Sequence, residues 1–177
     1  MTEPFRRRRL VVLTLLALVV FALGPAPAAA QSIGGELGAQ SVTGSTVVAE
    51  DETVDGLDVV AGTVVIRGTV AGNLNGFAGD IVITETGAVT GDVSVATGSL
   101  RIEGTVGGSV SAGAGVITLA RSGVVAGDLS AGAGTVTIEG AIDGDATVGA
   151  DTITLGPASQ ISGQLRYDGT LTQQSGA

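Results

Sequence analysis

The sequence predicts an all-β chain folded as a parallel β-helix, a solenoid of about six to seven turns with a triangular cross-section. Three observations predict it. Gly72, Gly91, Gly108, Gly127, Gly144 and Gly163 follow one another at intervals of 19, 17, 19, 17 and 19 residues, the mark of a tandem repeat with a two-turn superperiod of 36. Aligned on these glycines, aliphatic residues fall into columns separated by polar positions, as in strands buried on one side. Aromatic residues make up only 2 % of the chain, while Val, Ile, Thr and Gly dominate, and a narrow solenoid core has room only for stacked aliphatic side chains.

Residues 1–30 read as a signal peptide or membrane anchor, with a hydrophobic helix ahead of the solenoid. Arg6, Arg7, Arg8 and Arg9 precede the apolar run Leu10–Leu23, which includes Leu15, Leu16 and Phe21. Ala28-Ala29-Ala30 before Gln31 fits a small-residue cleavage site, and the run is short against the roughly 20 residues of a membrane span. A cleaved signal and a retained anchor remain open, as do Sec and twin-arginine export. In both versions the arginines stay in the cytoplasm and the β-helix lies outside it, exported or associated with the outer side of the cytoplasmic membrane. Residues 31–41 form a Gly-rich linker, 42–172 the solenoid, and 173–177 a disordered tail.

The repeating unit is clearest at residues 91–106, GDVSVATGSLRIEGTV. A Gly-Asp step leads to Val93 and Val95, a bend falls at Thr97-Gly98, and Leu100 and Ile102 precede a Glu103-Gly104 corner. Turns that open at 72, 108 and 144 have a longer third corner: Thr84–Gly87, Ala120–Gly123 and Gly156–Ser159. Those that open at 91 and 127 have the short pairs Glu103-Gly104 and Glu139-Gly140, and Arg67-Gly68 begins alike in an irregular turn opened by Gly56. Glycine and Gly-Asp pairs at the turns are expected to supply left-handed backbone.

Five inward columns follow. One stacks Val64, Ile81, Leu100, Ile117, Val136, Ile153 and Leu171, and a second, two residues on, stacks Ile66, Ile83, Ile102, Leu119, Ile138 and Leu155. A third, before the glycine, holds Val54, Val70, Val89, Val106, Val125, Ile142 and Ile161. The fourth holds Leu74, Val93, Val110, Leu129, Ala146 and Leu165, and the fifth runs from Gly76 through Val95, Ala112, Ala131 and Val148 to Tyr167. Between the first two lies an outward column of Val65, Val82, Arg101, Thr118, Thr137 and Thr154.

Composition removes most chemistry. There is no Cys, His or Lys, so thiolate and imidazole metal sites, a histidine base, Schiff-base chemistry and a phosphate-binding lysine are absent. The formal charge is −9; beyond residue 30 sixteen acids face only Arg67, Arg101, Arg121 and Arg166. Such a surface repels nucleic acid. Asp92, Asp128 and Asp145 follow turn glycines and would align along one edge, as a cation ladder or as turn-stabilising side chains. No GGxGxD calcium repeat accompanies them, which favours the turn role. Glu103 and Glu139 lie two turns apart, too far for a carboxylate pair, and Asp80, Asp143 and Asp151 are scattered. A left-handed hexapeptide acyltransferase needs a strict six-residue repeat and a histidine, and neither is present. The chain reads as a non-enzyme without cofactor or metal.

The recurring V-x-G-[DNSQ]-[VLA] step, VTGDV at 89–93 and VAGDL at 125–129, resembles the bactofilin domain, whose archaeal relatives include the halofilins. The resemblance covers residues 42–172 and implies a right-handed β-helix that polymerises through its ends into nonpolar filaments without nucleotide. It also implies terminal tails that serve membrane association. Bactofilins are typically cytoplasmic and use aromatic end contacts; here the N-terminus resembles an export signal, and the aromatic candidates are Phe77 and Tyr167. The partner implied is a second copy, with Val47 and Val54 at one end and Leu165, Tyr167 and Leu171 at the other as candidate interface residues. The competing reading is an exported surface or adhesive solenoid whose Thr-rich faces contact a ligand.

Overall fold

The computed structural model describes residues 44–175; the predicted N-terminal helix, the targeting residues Arg6 to Phe21 and the linker lie outside them. Within them the chain is all β, with fifteen strands in alternation: ten-residue strands such as β5 (Leu74–Ile83) and β7 (Val93–Ile102), and two-residue strands such as β6 (Ala88–Val89). The odd-numbered strands, from β1 (Ser45–Val48) to β15 (Leu165–Gln173), stack as one parallel sheet of eight. The even-numbered strands, from β2 (Thr53–Val54) to β14 (Gln160–Ile161), form a second of seven. This is a parallel β-solenoid of about seven turns, and at about 4.8 Å per turn it is roughly 30 Å long.

The period follows the glycine count. Leu57 pairs with Leu74, Leu74 with Val93, Val93 with Val110, Val110 with Leu129, Leu129 with Ala146 and Ala146 with Leu165. Each long strand bends in its middle. In β7 the buried positions are Val93 and Val95, then Leu100 and Ile102, so the alternation changes phase between them. The ladder skips a residue at the same place, between Ala78↔Thr97 and Asp80↔Ser99. Two halves of each long strand and one short strand thus give three faces per turn.

The core is aliphatic throughout. All five predicted columns are buried from the second turn to the sixth, except that Gly76 is half-buried, and among the described residues no polar or charged residue is buried. The structure adds Leu57 and Val59, 1 % and 2 % exposed, to the start of the fourth and fifth columns. They are hidden in the sequence because Leu57 follows Gly56 directly, whereas Asn73 stands between Gly72 and Leu74 in the next coil. Gly56 has φ of 85°.

The longer corners are β-turns, closed by N–H to C=O bonds from Gly87 to Thr84, Gly123 to Ala120 and Ser159 to Gly156. A fourth, from Glu52 to Ala49, begins the series. These turns explain the two-turn superperiod. A Cβ on Gly104 would overlap the carbonyl oxygens of both Thr84 and Gly87, and one on Gly140 those of Ala120 and Gly123. A short Glu-Gly corner therefore nests on the wide β-turn of the coil beneath it, and only glycine fits there.

The expected reason for the turn-opening glycines is corrected. Among the described residues positive φ occurs only at Gly44, Gly56, Gly76 and Gly169. Gly91, Gly108, Gly127, Gly144 and Gly163 need no left-handed backbone. Each donates its N–H to the glycine carbonyl one coil below, at 3.0–3.2 Å. At that approach a Cβ would stand no more than 2.8 Å from that glycine's carbonyl carbon. Close stacking of backbone on backbone selects glycine here, not turn handedness.

Candidate assembly surfaces

The aligned polar residues at the first corner form a ladder. The N–H groups of Asp92, Ser109, Asp128, Asp145 and Gln164 donate to Asn73 Oδ1, Asp92 Oδ1, Ser109 Oγ, Asp128 Oδ1 and Asp145 Oδ1, at 2.7–3.1 Å. The cause is a reversal in the backbone ladder. Gly91 donates to the coil below, whereas Val93 donates to Ser109 of the coil above. Asp92 between them has no carbonyl to meet, and the side chain below supplies the acceptor. Each such bond contributes about 1 kcal/mol, and losing it strands an N–H. The carboxylates of Asp92, Asp128 and Asp145 thus serve the turn. Among the described residues no group of three or more His, Cys, Asp or Glu is placed to hold a metal ion.

Elsewhere the sides of the rod carry short polar groups. Glu103 pairs with Arg101 two residues before it, and Ser99 donates to Asp80. Thr135 and Thr137, Thr152 and Thr154, and Thr170 and Thr172 stand in register on three successive coils. β-Propensity alone accounts for threonine on an outward strand position. Phe77, 65 % exposed, points sideways from the second full coil beside Val60, so it is not an end residue.

The two ends differ. At the N-terminal end Val48, Leu57 and Val59 are buried and Val54 is half-buried; Val47 is half-exposed but faces outward, in register with Val65. This coil carries Glu50, Asp51, Glu52, Asp55 and Asp58, with no basic residue between 45 and 61. At the C-terminal end Ile161, Leu165 and Leu171 are only partly buried and Tyr167 is 51 % exposed. Ile161 and Leu165 line a shallow concavity with Leu155 and Ser159 at the C-terminal end of the core. β15 is one residue shorter than the strand below it. Its ladder shifts between Gly149↔Asp168 and Thr152↔Thr170, and Gly169 takes up the contraction with φ of 132°. Gln173, in the expected tail, belongs to β15, and Gln174 donates to Leu155 O at 2.9 Å.

A repetitive rod with an aliphatic core, small polar sides and unlike ends is a structural solenoid. The family model for Bactofilin, polymer-forming cytoskeletal, matches residues 46–132 and again residues 94–177, and the chain belongs to that family. The overlap of the two matches is that of an internally repeated domain. No curated protein and no solved structure matches the chain.

Proposed function

We propose that this chain is a membrane-associated scaffold protein that assembles without nucleotide, β-helix end to β-helix end, on the outer side of the cytoplasmic membrane. The observation that carries the assembly is the C-terminal end, where Leu165, Tyr167 and Leu171 complete three aliphatic columns and are left partly or half exposed. Among the described residues no strand pairs with the outer edge of β14 or β15, so backbone donors and acceptors stand open beside apolar side chains. Soluble solenoids cover such an end with a capping element. A second copy supplies the same cover. Nucleotide has no role, since the chain has no lysine and no Gly-rich phosphate loop.

Replacing Tyr167 and Leu171 together by Asp is expected to abolish self-association while the circular dichroism spectrum stays that of the wild type. Light scattering across a salt series, with and without ATP, measures it; high salt should strengthen contact between such acidic rods. A wild-type chain that stays monomeric at high salt and high concentration contradicts the proposal, as does growth that needs ATP. Membrane placement rests on Arg6–Arg9 and the apolar run that follows. Intact mass from cells should show either a chain that begins near Gln31 or a complete chain in the membrane fraction. A complete chain in the soluble fraction would refute export and anchoring alike.

A further inference from the structure

We infer that two copies also pack flank to flank, with rods antiparallel, through the face formed by the first half of each long strand. The two-fold axis of this contact runs along β9 (Val110–Leu119), the middle one of the seven long strands from β3 (Leu57–Ile66) to β15. The contact is separate from any joint between ends and does not depend on it.

Three features of this face lead there. From β5 to β13 (Ala146–Leu155) its outward positions carry no charge, so that acidic rods can approach each other on this side. Its apolar side chains stand toward one end only, where Val60 and Phe77 lie in register and are both more than half exposed. Beyond them the same outward column runs through Ala96, Gly113, Gly132 and Gly149. The rod itself does not require these three glycines. None has positive φ, and a Cβ on any of them would meet nothing within 4 Å. Glycine weakens a strand, and where the fold does not call for it, it marks close approach by another surface. Phe77 of a second copy is of the right shape and polarity to make that approach.

Size and charge fix the arrangement, since an isologous contact needs a surface complementary to itself. An axis parallel to the rods would set each coil against its own copy, with Phe77 over Asn75 and the glycines unused. An axis along the strands reverses the rods and keeps each column facing itself, so Phe77 at one end meets glycine toward the other. With β9 on that axis, Phe77 rests on Gly149, where Ala133 and Ala150 line a shallow concavity together with Asp151 and Asp168. Ala96 then meets Gly132, Asn75 meets Thr147, and Ser111 and Gly113 meet their own counterparts. The same register sets Asp58 opposite Arg166, twice, and leaves none of the seven long strands unopposed. Val60 faces Asp168 at the rim of the contact, within reach of water.

The chain has no cysteine, so introduced ones report the contact. In the full chain, Ser111→Cys should be captured as a dimer by a short bis-maleimide, because Ser111 faces itself across the axis. Asn75→Cys and Thr147→Cys should be captured only when the two variants are mixed, each lying far from its own counterpart. Adding Gly149→Val to Ser111→Cys should cut the captured fraction about tenfold, as should adding Phe77→Ser. The thermal midpoint of Gly149→Val should not fall, since valine favours a strand and has room on the free rod. Capture in this pattern, lost in both added variants, supports the flank contact. Capture of Asn75→Cys alone overturns it, as does capture of Ser111→Cys that Gly149→Val leaves undiminished, or no capture at all. Filaments joined by their ends should still grow from Gly149→Val, so the flank contact and the end joint fail separately.

Discussion

Ile102→Asp is expected to unfold the rod around its midpoint, and Thr137→Asp to leave it folded. Ile102 is 1 % exposed and stacks between Ile83 and Leu119 of the adjoining coils. No polar or charged residue is buried in the described core, so a carboxylate there meets neither partner nor water. An uncompensated buried charge costs about 3–5 kcal/mol, and the lost aliphatic packing adds to it. Because each coil is held only by its neighbours, the damage separates the coils on either side instead of staying local. Thr137 lies on the outward column between Thr118 and Thr154, where a carboxylate remains hydrated. Thermal unfolding followed by circular dichroism compares the two, and equal midpoints would refute the column assignment.

The second large effect falls on glycine. Gly104→Ala is expected to destabilise the rod by more than the 1–3 kcal/mol typical of overpacking, because the new Cβ overlaps two carbonyl oxygens of the wide corner below. Backbone cannot turn aside as a flexible side chain can, so coils must part or the corner must unwind. Gly132→Ala provides the contrast. A Cβ there meets nothing within 4 Å and φ is not positive, so the change should stabilise the strand by about 0.5–1 kcal/mol. The same substitution in the same solenoid thus has opposite signs at a corner and in a strand. Denaturant midpoints with unchanged m-values report the difference, and two destabilised variants would contradict the corner-nesting explanation.

Much of this architecture is legible in the sequence because a solenoid repeats its constraints. The spacing of Gly72 to Gly163 gave the coil lengths, and the long and short corners were visible as Thr84–Gly87 against Glu103-Gly104. What repetition does not display is why a residue recurs. Glycine suits left-handed turns and close backbone approach alike, and only the stacked geometry separates them. The aspartates behave similarly: a cation ladder and an N–H-accepting ladder share one spacing, and Asn73 below Asp92 and Ser109 between Asp92 and Asp128, neither of them a carboxylate, are the distinguishing sign. Irregular coils were the hardest to read. Leu57 was missed because its coil lacks the opening Gly-polar pair, and the contraction of β15 leaves no mark except Gly169. Of the proposed interface residues, Leu165, Tyr167 and Leu171 are recognisable as continuing the columns of Ala146, Val148 and Ile153. Val47, in β1, resembles another, but its partner Val65 on the next coil belongs to the outward column.

Rods that join end to end make the coils of successive subunits continue one stack. Cryo-electron microscopy or fibre diffraction of assemblies grown from the purified chain tests it through the direction of the coil spacing. End-to-end joining gives filaments one rod wide with a reflection at about 4.8 Å along the filament axis. Filaments with that spacing across the axis, or a chain that remains monomeric in high salt, would contradict it.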